Sequence, residues 1–405
     1  MKVLLDVTES HASAGVGRYS RSLTRALREM DSLQIQLLAG RWEYQRFLAA
    51  DPAFGELPVV RKSGAAGWLD RLHCAGLERS IAGLDTRRDF ASRLQRRVAG
   101  TAADWARRTA SGWREFDPHS AEVYHRLCGP LPRHHALPTV LTFFDIIPSH
   151  HWEAGAGVAR VYERMLASIT PDTFVLAISE STRRDFLAAT GHPPERTRVT
   201  YLGVDRRIFH PIAESPSDAA ADPYILSVCT LEARKNLTVV LRSFADLCAR
   251  AALPRLRLVL TGAKAHLLRA RMDELGLAAS VRERITLTGV VSDAQLATLY
   301  RGALCFVFPS LHEGFGLPVL EAMSCGTPAL VAAATSLPEV VGERGVTLDP
   351  NDPSVWVAAI ERLATDPAWH AEQRAWALEQ AARFSWERCA RETAEVYQTA
   401  RAAGR

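Results

Sequence analysis

An α/β architecture of two doubly wound parallel sheets, one after the other along the chain, is what this sequence predicts, and three observations carry it. Short, almost wholly apolar runs of strand length alternate with segments of helical periodicity, the pattern of strands buried on both faces of a parallel sheet. The alternation lapses at residues 214–223, a stretch rich in Ser, Asp, Ala and Pro, and restarts at residue 224. A length of 405 residues also exceeds one ordinary core and favours two domains. Domains are expected over 1–210 and 211–385, followed by a last helix over 386–405.

Composition narrows the class. Apolar content of 47% with 23% charged residues is that of a globular protein, and a net charge of +4 argues against a dedicated nucleic-acid binder. The seven cysteines are scattered and never two residues apart, so neither a disulfide framework nor a zinc site is implied and a reducing cytosol is expected. The apolar part of residues 2–7 is too short for a signal peptide, and no run reaches the length of a membrane span, so any membrane contact is expected to be peripheral.

In the first half, residues 2–7 read as a strand and Gly15-Val16-Gly17-Arg18-Tyr19-Ser20 opens a helix. Ser20 stands at the third glycine position of a dinucleotide fingerprint, and the next strand, 35–38, ends without an acid, so the Gly-x-Gly is weak evidence. Gly15 and Gly17 serve either a close ligand approach or only a tight turn. Residues 68–116 place Arg87, Arg88, Arg93, Arg96, Arg97, Arg107, Arg108 and Arg114 among Phe90, Leu94, Val98 and Trp105. Such a basic amphipathic insertion either meets an anionic membrane or packs its apolar stripe on its own domain. Strands follow at 122–127 and 139–144, the latter ending at Asp145, which lies where ligands gather outside strand carboxyl ends or merely caps a turn before Pro148. The adjacent His150 and His151 do not suggest a metal site. A strand at 174–179 precedes a helix capped by Ser179 or Ser181, and 198–202 is the last strand of this half.

In the second half, strands are expected at 224–228, 256–260, 284–288, 304–308 and 329–332, with a capping box, Ser292 to Gln295, starting one of the intervening helices. Arg234 and Lys235 follow the first of these strands, where a guanidinium fork and a point charge suit phosphate oxygens. The 304–308 strand leads into Glu313-Gly314-Phe315-Gly316-Leu317-Pro318, with Glu321 about one turn into the next helix and Gly326 and Pro328 ending it. Backbone N–H groups at that helix start form a phosphate-ready site, and acids beside it suit sugar hydroxyls. Taken alone, Glu313 reads equally as a solvated loop acid and Glu321 as a helix-dipole partner. Topology brings both to the sheet edge that carries Arg234 and Lys235, so a bound diphosphate explains the two features together. Helices are expected over 352–364, 368–384 and 386–400.

Together, Gly15-Val16-Gly17-Arg18-Tyr19, Phe144-Asp145-Ile146-Ile147-Pro148, Ile178-Ser179-Glu180-Ser181-Thr182, Gly203-Val204-Asp205, Leu231 to Leu237, Gly289 to Asp293 and Glu313 to Glu321 resemble the retaining glycosyltransferases of family 4, in the branch similar to mannosyltransferase B. The resemblance spans nearly all of the chain outside about residues 45–120. It implies the GT-B architecture, two Rossmann-like domains facing a cleft with the last helix crossing back to the first, and a metal-independent reaction with no cofactor.

By position, the resemblance implies that Glu313 meets the donor sugar, Glu321 the nucleotide ribose, and Arg234 and Lys235 the diphosphate as it leaves. It implies that backbone groups of Gly314, Phe315, Gly316 and Leu317 touch sugar and phosphate, that Val290 touches the base, and that Gly15 and Gly17 border donor and acceptor. Asp145 would position the acceptor, although Phe144 replaces the family's frequent histidine. The implied activity moves a hexose, with mannose from GDP-mannose expected, onto a lipid-linked glycan of a bacterial surface polysaccharide. The enzyme would lie in the cytoplasm or at the inner face of the membrane. An epimerase or phosphorylase of the same fold, or a donor-binding scaffold without catalysis, are the alternative readings.

Overall fold

The computed structural model describes residues 1–7, 14–39, 52–61, 121–132, 136–146, 156–212, 222–228, 232–250, 253–262 and 265–404. Among the described residues, thirteen strands form two parallel sheets. The first contains β1 (Lys2–Asp6), β2 (Gln34–Ala39), β3 (Val59–Arg61), β4 (Val123–Arg126), β5 (Thr139–Phe143), β6 (Phe174–Ala177) and β7 (Thr197–Val199) in the order β3-β2-β1-β4-β5-β6-β7. The second contains β8 (Tyr224–Val228), β9 (Arg257–Thr261), β10 (Ile285–Gly289), β11 (Cys305–Phe308), β12 (Ala329–Ala332) and β13 (Val346–Leu348) in the order β10-β9-β8-β11-β12-β13.

In each sheet the strand order reverses once, between β1 and β4 and between β8 and β11, and crevices outside the carboxyl ends of such strand pairs are where ligands bind in doubly wound folds. The expected strands all form. β3 and β13, edge strands of three residues, were not expected: their apolar runs stop at once at Arg61 and at Asp349-Pro350, whereas that of the equally short β7 continues through Tyr201 and Leu202. The Arg-rich segment 68–116 and the His150/His151 pair lie outside the described residues. Among the described residues no helix is long and apolar enough to cross a membrane.

The final helix, Trp386–Ala403, returns to the first domain as expected and packs along the helix Ala14–Arg28. Its inward face buries Cys389, Ala390, Thr393, Ala394, Tyr397 and Ala400, the three-to-four spacing of an apolar stripe. Ser385 caps it, its hydroxyl accepting from the Arg388 N–H at 3.1 Å. Tyr397 lies 2.6 Å from Nδ1 of His125 on β4, whose Nε2 lies 2.8 Å from the Thr142 hydroxyl, itself 2.8 Å from the Tyr19 hydroxyl. This buried polar chain fixes the Ala14–Arg28 helix and the final helix to one sheet face.

The chain thus crosses between domains twice, near 200–212 and near 382–386. The crossings touch: a Cβ on Gly203 would lie 2.2 Å from the Trp386 nitrogen, so only glycine fits. Arg206 joins them too, donating to the carbonyls of Ala381 and Phe384 at 3.1 and 3.3 Å.

Candidate functional site

Two loops at the carboxyl edge of the second sheet's reversal point form the core of the site. β8 leads to a 3-10 turn, Ala233–Lys235, and Asn236 then takes the left-handed conformation (φ 50°) and starts the helix Leu237–Ala249. β11 leads through 309–316 to the helix Leu317–Ser324, whose entry is turned by Gly316 at φ 115°. A backbone hydrogen bond from Leu311 to the Arg234 carbonyl, 2.7 Å, ties the two loops.

Their charged side chains meet. Lys235 Nζ lies 2.5 Å and Arg234 Nη1 3.1 Å from the same Glu313 oxygen, with side-chain exposures of 13%, 17% and 12%. Arg234 also donates to the His312 carbonyl at 3.2 Å and pairs with Glu232 at 2.7 Å, and Lys235 stands 5.0 Å over the Phe308 ring. Burial would raise the Glu313 carboxyl, but the Lys235 ammonium and the Arg234 guanidinium outweigh it and hold it below its ordinary value. Glu232 and Glu313 balance the two cations, and an anionic ligand that displaces these carboxylates would meet a guanidinium fork and an ammonium side by side.

The Glu313 backbone is held from below. The Thr335 hydroxyl accepts from its N–H at 3.1 Å, and the Ser336 hydroxyl lies 2.9 Å from the carbonyls of both Glu313 and Phe315. Thr335 sits at φ 46°, a left-handed backbone that costs a β-branched residue roughly 1–3 kcal/mol and is found where the surroundings over-determine a geometry. Phe315 is buried and edge-on to Phe384 of the return crossing at 5.7 Å, so its ring anchors the loop. Gly314 touches the first domain: its carbonyl accepts from the hydroxyls of Ser179 (2.7 Å) and Thr182 (3.0 Å), and a Cβ on it would lie 2.1 Å from the Phe144 carbonyl oxygen and 3.2 Å from Cβ of Asp145. Asp145 is therefore brought directly to the glycine loop. Phe144 packs edge-on against Tyr19 at 5.1 Å.

The other expected residues stand on separate elements. Val290 follows β10 and is 80% exposed. Gly15 and Gly17 lie within the first turn of the Ala14–Arg28 helix rather than in a tight turn before it; Gly15 is exposed and has open space where a side chain would stand. Leu317 begins the helix Leu317–Ser324 and Pro318 is its second residue. Glu321 is 2% exposed and pairs across the cleft with Arg18 of the first domain. Ser179, not Ser181, caps the helix Glu180–Thr190.

Three features escape the sequence. Asp6 ends β1 and Arg126 ends β4, opposite each other in register, and they form a buried ion pair to which the Tyr124 hydroxyl adds a 2.5 Å hydrogen bond. Thr335 and Ser336 carry no motif. Glu339 of the second domain accepts from the backbone N–H groups of Glu180 and Ser181 at 2.8 and 2.7 Å, and no spacing links residues so far apart. No group of three or more His, Cys, Asp or Glu side chains gathers as a metal site among the described residues.

The family model of the glycosyl transferases group 1 matches residues 212–383, the part that contains Arg234, Lys235, Glu313 and Glu321. The O-antigen chain mannosyltransferase B of Escherichia coli is 33% identical over 308 residues, 72% of this chain and 77% of that protein. The serotype-specific mannosyltransferase WbdA of Escherichia coli is 33% identical over 264 residues, 61% of this chain but 32% of that longer protein. Among solved structures, the sucrose-phosphate synthase of Thermosynechococcus elongatus superposes with a TM-score of 0.67 at 21% identity, covering 100% of both chains. The likeness identifies the architecture as GT-B.

Proposed function

The chain belongs to the group 1 glycosyl transferases, and on that premise we propose that it moves a hexose, mannose from GDP-mannose, onto a lipid-linked glycan in bacterial surface polysaccharide synthesis. The observation that carries this reading is the meeting of Arg234 and Lys235 with Glu313 at the mouth of the second domain, against the first domain's Phe144 and Asp145. The mannosyl donor and the glycan acceptor rest on the two mannosyltransferase relatives.

Arg234 and Lys235 turn from Glu313 to the diphosphate and stabilise it as it leaves. Glu313 is freed to face the sugar, where its ionised carboxylate supports the positive charge that develops at the anomeric carbon. Glu321 accepts from the ribose hydroxyls. The anomeric carbon–phosphate oxygen bond breaks while the acceptor oxygen attacks from the same face; the acceptor proton passes to the departing phosphate oxygen, so configuration is retained. The two cations take the part that a divalent ion would otherwise play, and Asp145 positions the acceptor. The Arg-rich segment 68–116 holds the enzyme at the cytoplasmic face of an anionic membrane; reversing Arg93, Arg96 and Arg97 to Glu should abolish co-sedimentation with anionic vesicles, and unchanged binding would remove that part of the reading.

The test is transfer from GDP-mannose to a lipid-linked acceptor, with product configuration read by NMR and with excess EDTA as a control. Glu313→Ala and Lys235→Ala should each lower kcat by about 10²–10³, the scale for removing one electrostatic stabiliser of a transition state. Wild-type rates in both variants would overturn the assignment. An inverted product would overturn same-face attack, and loss of activity in EDTA would overturn the role given to the cations. A thermal-shift panel of GDP-, UDP-, ADP- and dTDP-sugars checks the donor, since the true ligand raises apparent stability by mass action.

A further inference from the structure

We infer that Arg18 is a positioning residue of the donor site, supplied by the first domain and acting through Glu321. The inference rests on the reading of Glu321 as the ribose-binding carboxylate. Glu321 has a side-chain exposure of 3%, and an ionised carboxylate buried to that degree costs several kcal/mol unless an opposite charge faces it. From its own domain it meets the Tyr300 hydroxyl at 3.4 Å, a neutral and distant donor. The opposite charge arrives from the other side of the cleft, as Nη1 of Arg18.

Arg18 is aimed by more than this one contact. Its other fork nitrogen lies 2.5 Å from Asp293, the first residue of the helix Asp293–Gly302, and its guanidinium lies 5.5 Å over the buried Phe209 ring of the interdomain crossing. Phe209 in turn stands edge-on to Tyr300 at 6.0 Å. Contacts from three segments thus fix one guanidinium against one carboxylate.

A carboxylate offers about four lone-pair sites. Arg18 and Tyr300 engage one on each oxygen, which leaves capacity for the two vicinal hydroxyls of a ribose. Arg18 therefore orients Glu321 and faces its carboxylate without consuming it, and it does so only when the domains are together. The donor's ribose and the closed cleft support each other through this residue.

The experiment measures donor KM and kcat, and separately the affinity for GDP or UDP, whichever the wild-type protein binds, in Arg18→Met, Arg18→Lys, Glu321→Gln and the Arg18→Met/Glu321→Gln double variant. Arg18→Met should raise donor KM and the nucleotide Kd about tenfold, the scale of one charge-assisted hydrogen bond, and change kcat less than threefold. Lysine should restore part of the affinity, having the charge but not the fork. The double variant should bind no more weakly than Glu321→Gln alone, because Arg18 acts through that carboxylate. Unchanged or tighter nucleotide binding by Arg18→Met, or additive losses in the double variant, would overturn the inference. Unchanged binding by Glu321→Gln would instead overturn the ribose reading beneath it.

Discussion

The reversal points of the two sheets carry the same chemistry in different settings. At the first, Asp6 and Arg126 are the last residues of β1 and β4, paired in register with side-chain exposures of 0% and 6%. At the second, Arg234, Lys235 and Glu313 lie beyond the ends of β8 and β11, on loops, and keep exposures of 12–17%. An ion pair built into strand ends cannot exchange partners without disrupting the sheet. One built on loops can give up its carboxylate to an incoming phosphate. On the function proposed above, equivalent positions in a repeated fold separate into a staple and a working site, the first built into strand ends and the second on loops beyond them.

The largest expected effect tests this division directly. Arg126→Met should destabilise the protein by about 3–5 kcal/mol, because the Asp6 carboxylate stays buried with the Tyr124 hydroxyl but without the guanidinium. Lys235→Met should cost less stability than Arg126→Met, since Arg234 still faces Glu313, while lowering transfer by about 10²–10³. Denaturant titration and turnover on both variants decide the matter. Loss of transfer at full stability in Arg126→Met would break the division.

Gly314→Ala is next. The added Cβ would meet the Phe144 carbonyl at 2.1 Å, a backbone atom of the opposite domain, so the domains must move apart at the site. A displacement of that order should lower kcat about 10²-fold, with little change in melting temperature because neither core is touched. Full activity would show that the glycine loop does not work against Phe144.

A third prediction concerns the face behind the first pair. His125 is one residue from Arg126 and points the other way, into the chain of Tyr397, Thr142 and Tyr19, where burial lowers its pKa from 6.5 to about 3. The folded protein holds the ring neutral, whereas the unfolded chain takes up a proton below about pH 6.5. Stability should therefore fall by about 1.4 kcal/mol per pH unit as pH drops below 6.5 and level off near 3. His125→Gln should remove this part of the acid slope. An unchanged slope would place the acid sensitivity elsewhere.

The sequence revealed much of this, unevenly. Both sheets were legible because parallel strands buried on two faces are continuous apolar runs, while β3 and β13 escaped because their runs break off at Arg61 and at Asp349-Pro350. Arg234, Lys235, Glu313 and Glu321 were legible because loop and helix-entry residues stand in a short local pattern. Asp6 and Arg126, 120 residues apart, and Arg18 and Glu321, 303 apart, were not. Arg18 lay in plain sight within Gly15-Val16-Gly17-Arg18, but its partner is set by how two domains dock, and no local spacing encodes that. The Gly15-Val16-Gly17 run was legible as the opening of a helix, and of its two readings the helix removes the tight turn, since both glycines lie inside Ala14–Arg28.

The smallest expected effect sets a lower bound on what charge does between the domains. Glu339 is half-buried and places its carboxylate on the N-terminus of the Glu180–Thr190 helix, accepting two backbone N–H bonds and one from the Tyr201 hydroxyl at 3.1 Å. A negative charge there gains from the helix dipole, typically 0.3–1 kcal/mol or somewhat more when partly buried. Glu339→Gln keeps the shape and one acceptor oxygen but removes the charge, so closure should weaken by about 1 kcal/mol, read as a donor KM about fivefold higher at unchanged kcat. High salt should mimic the change in the wild type and have less effect on the variant. A drop in kcat instead would mean that Glu339 shapes the reacting site through Thr335 and Ser336, and the interdomain clasp and the Glu313 loop would then be one unit rather than two.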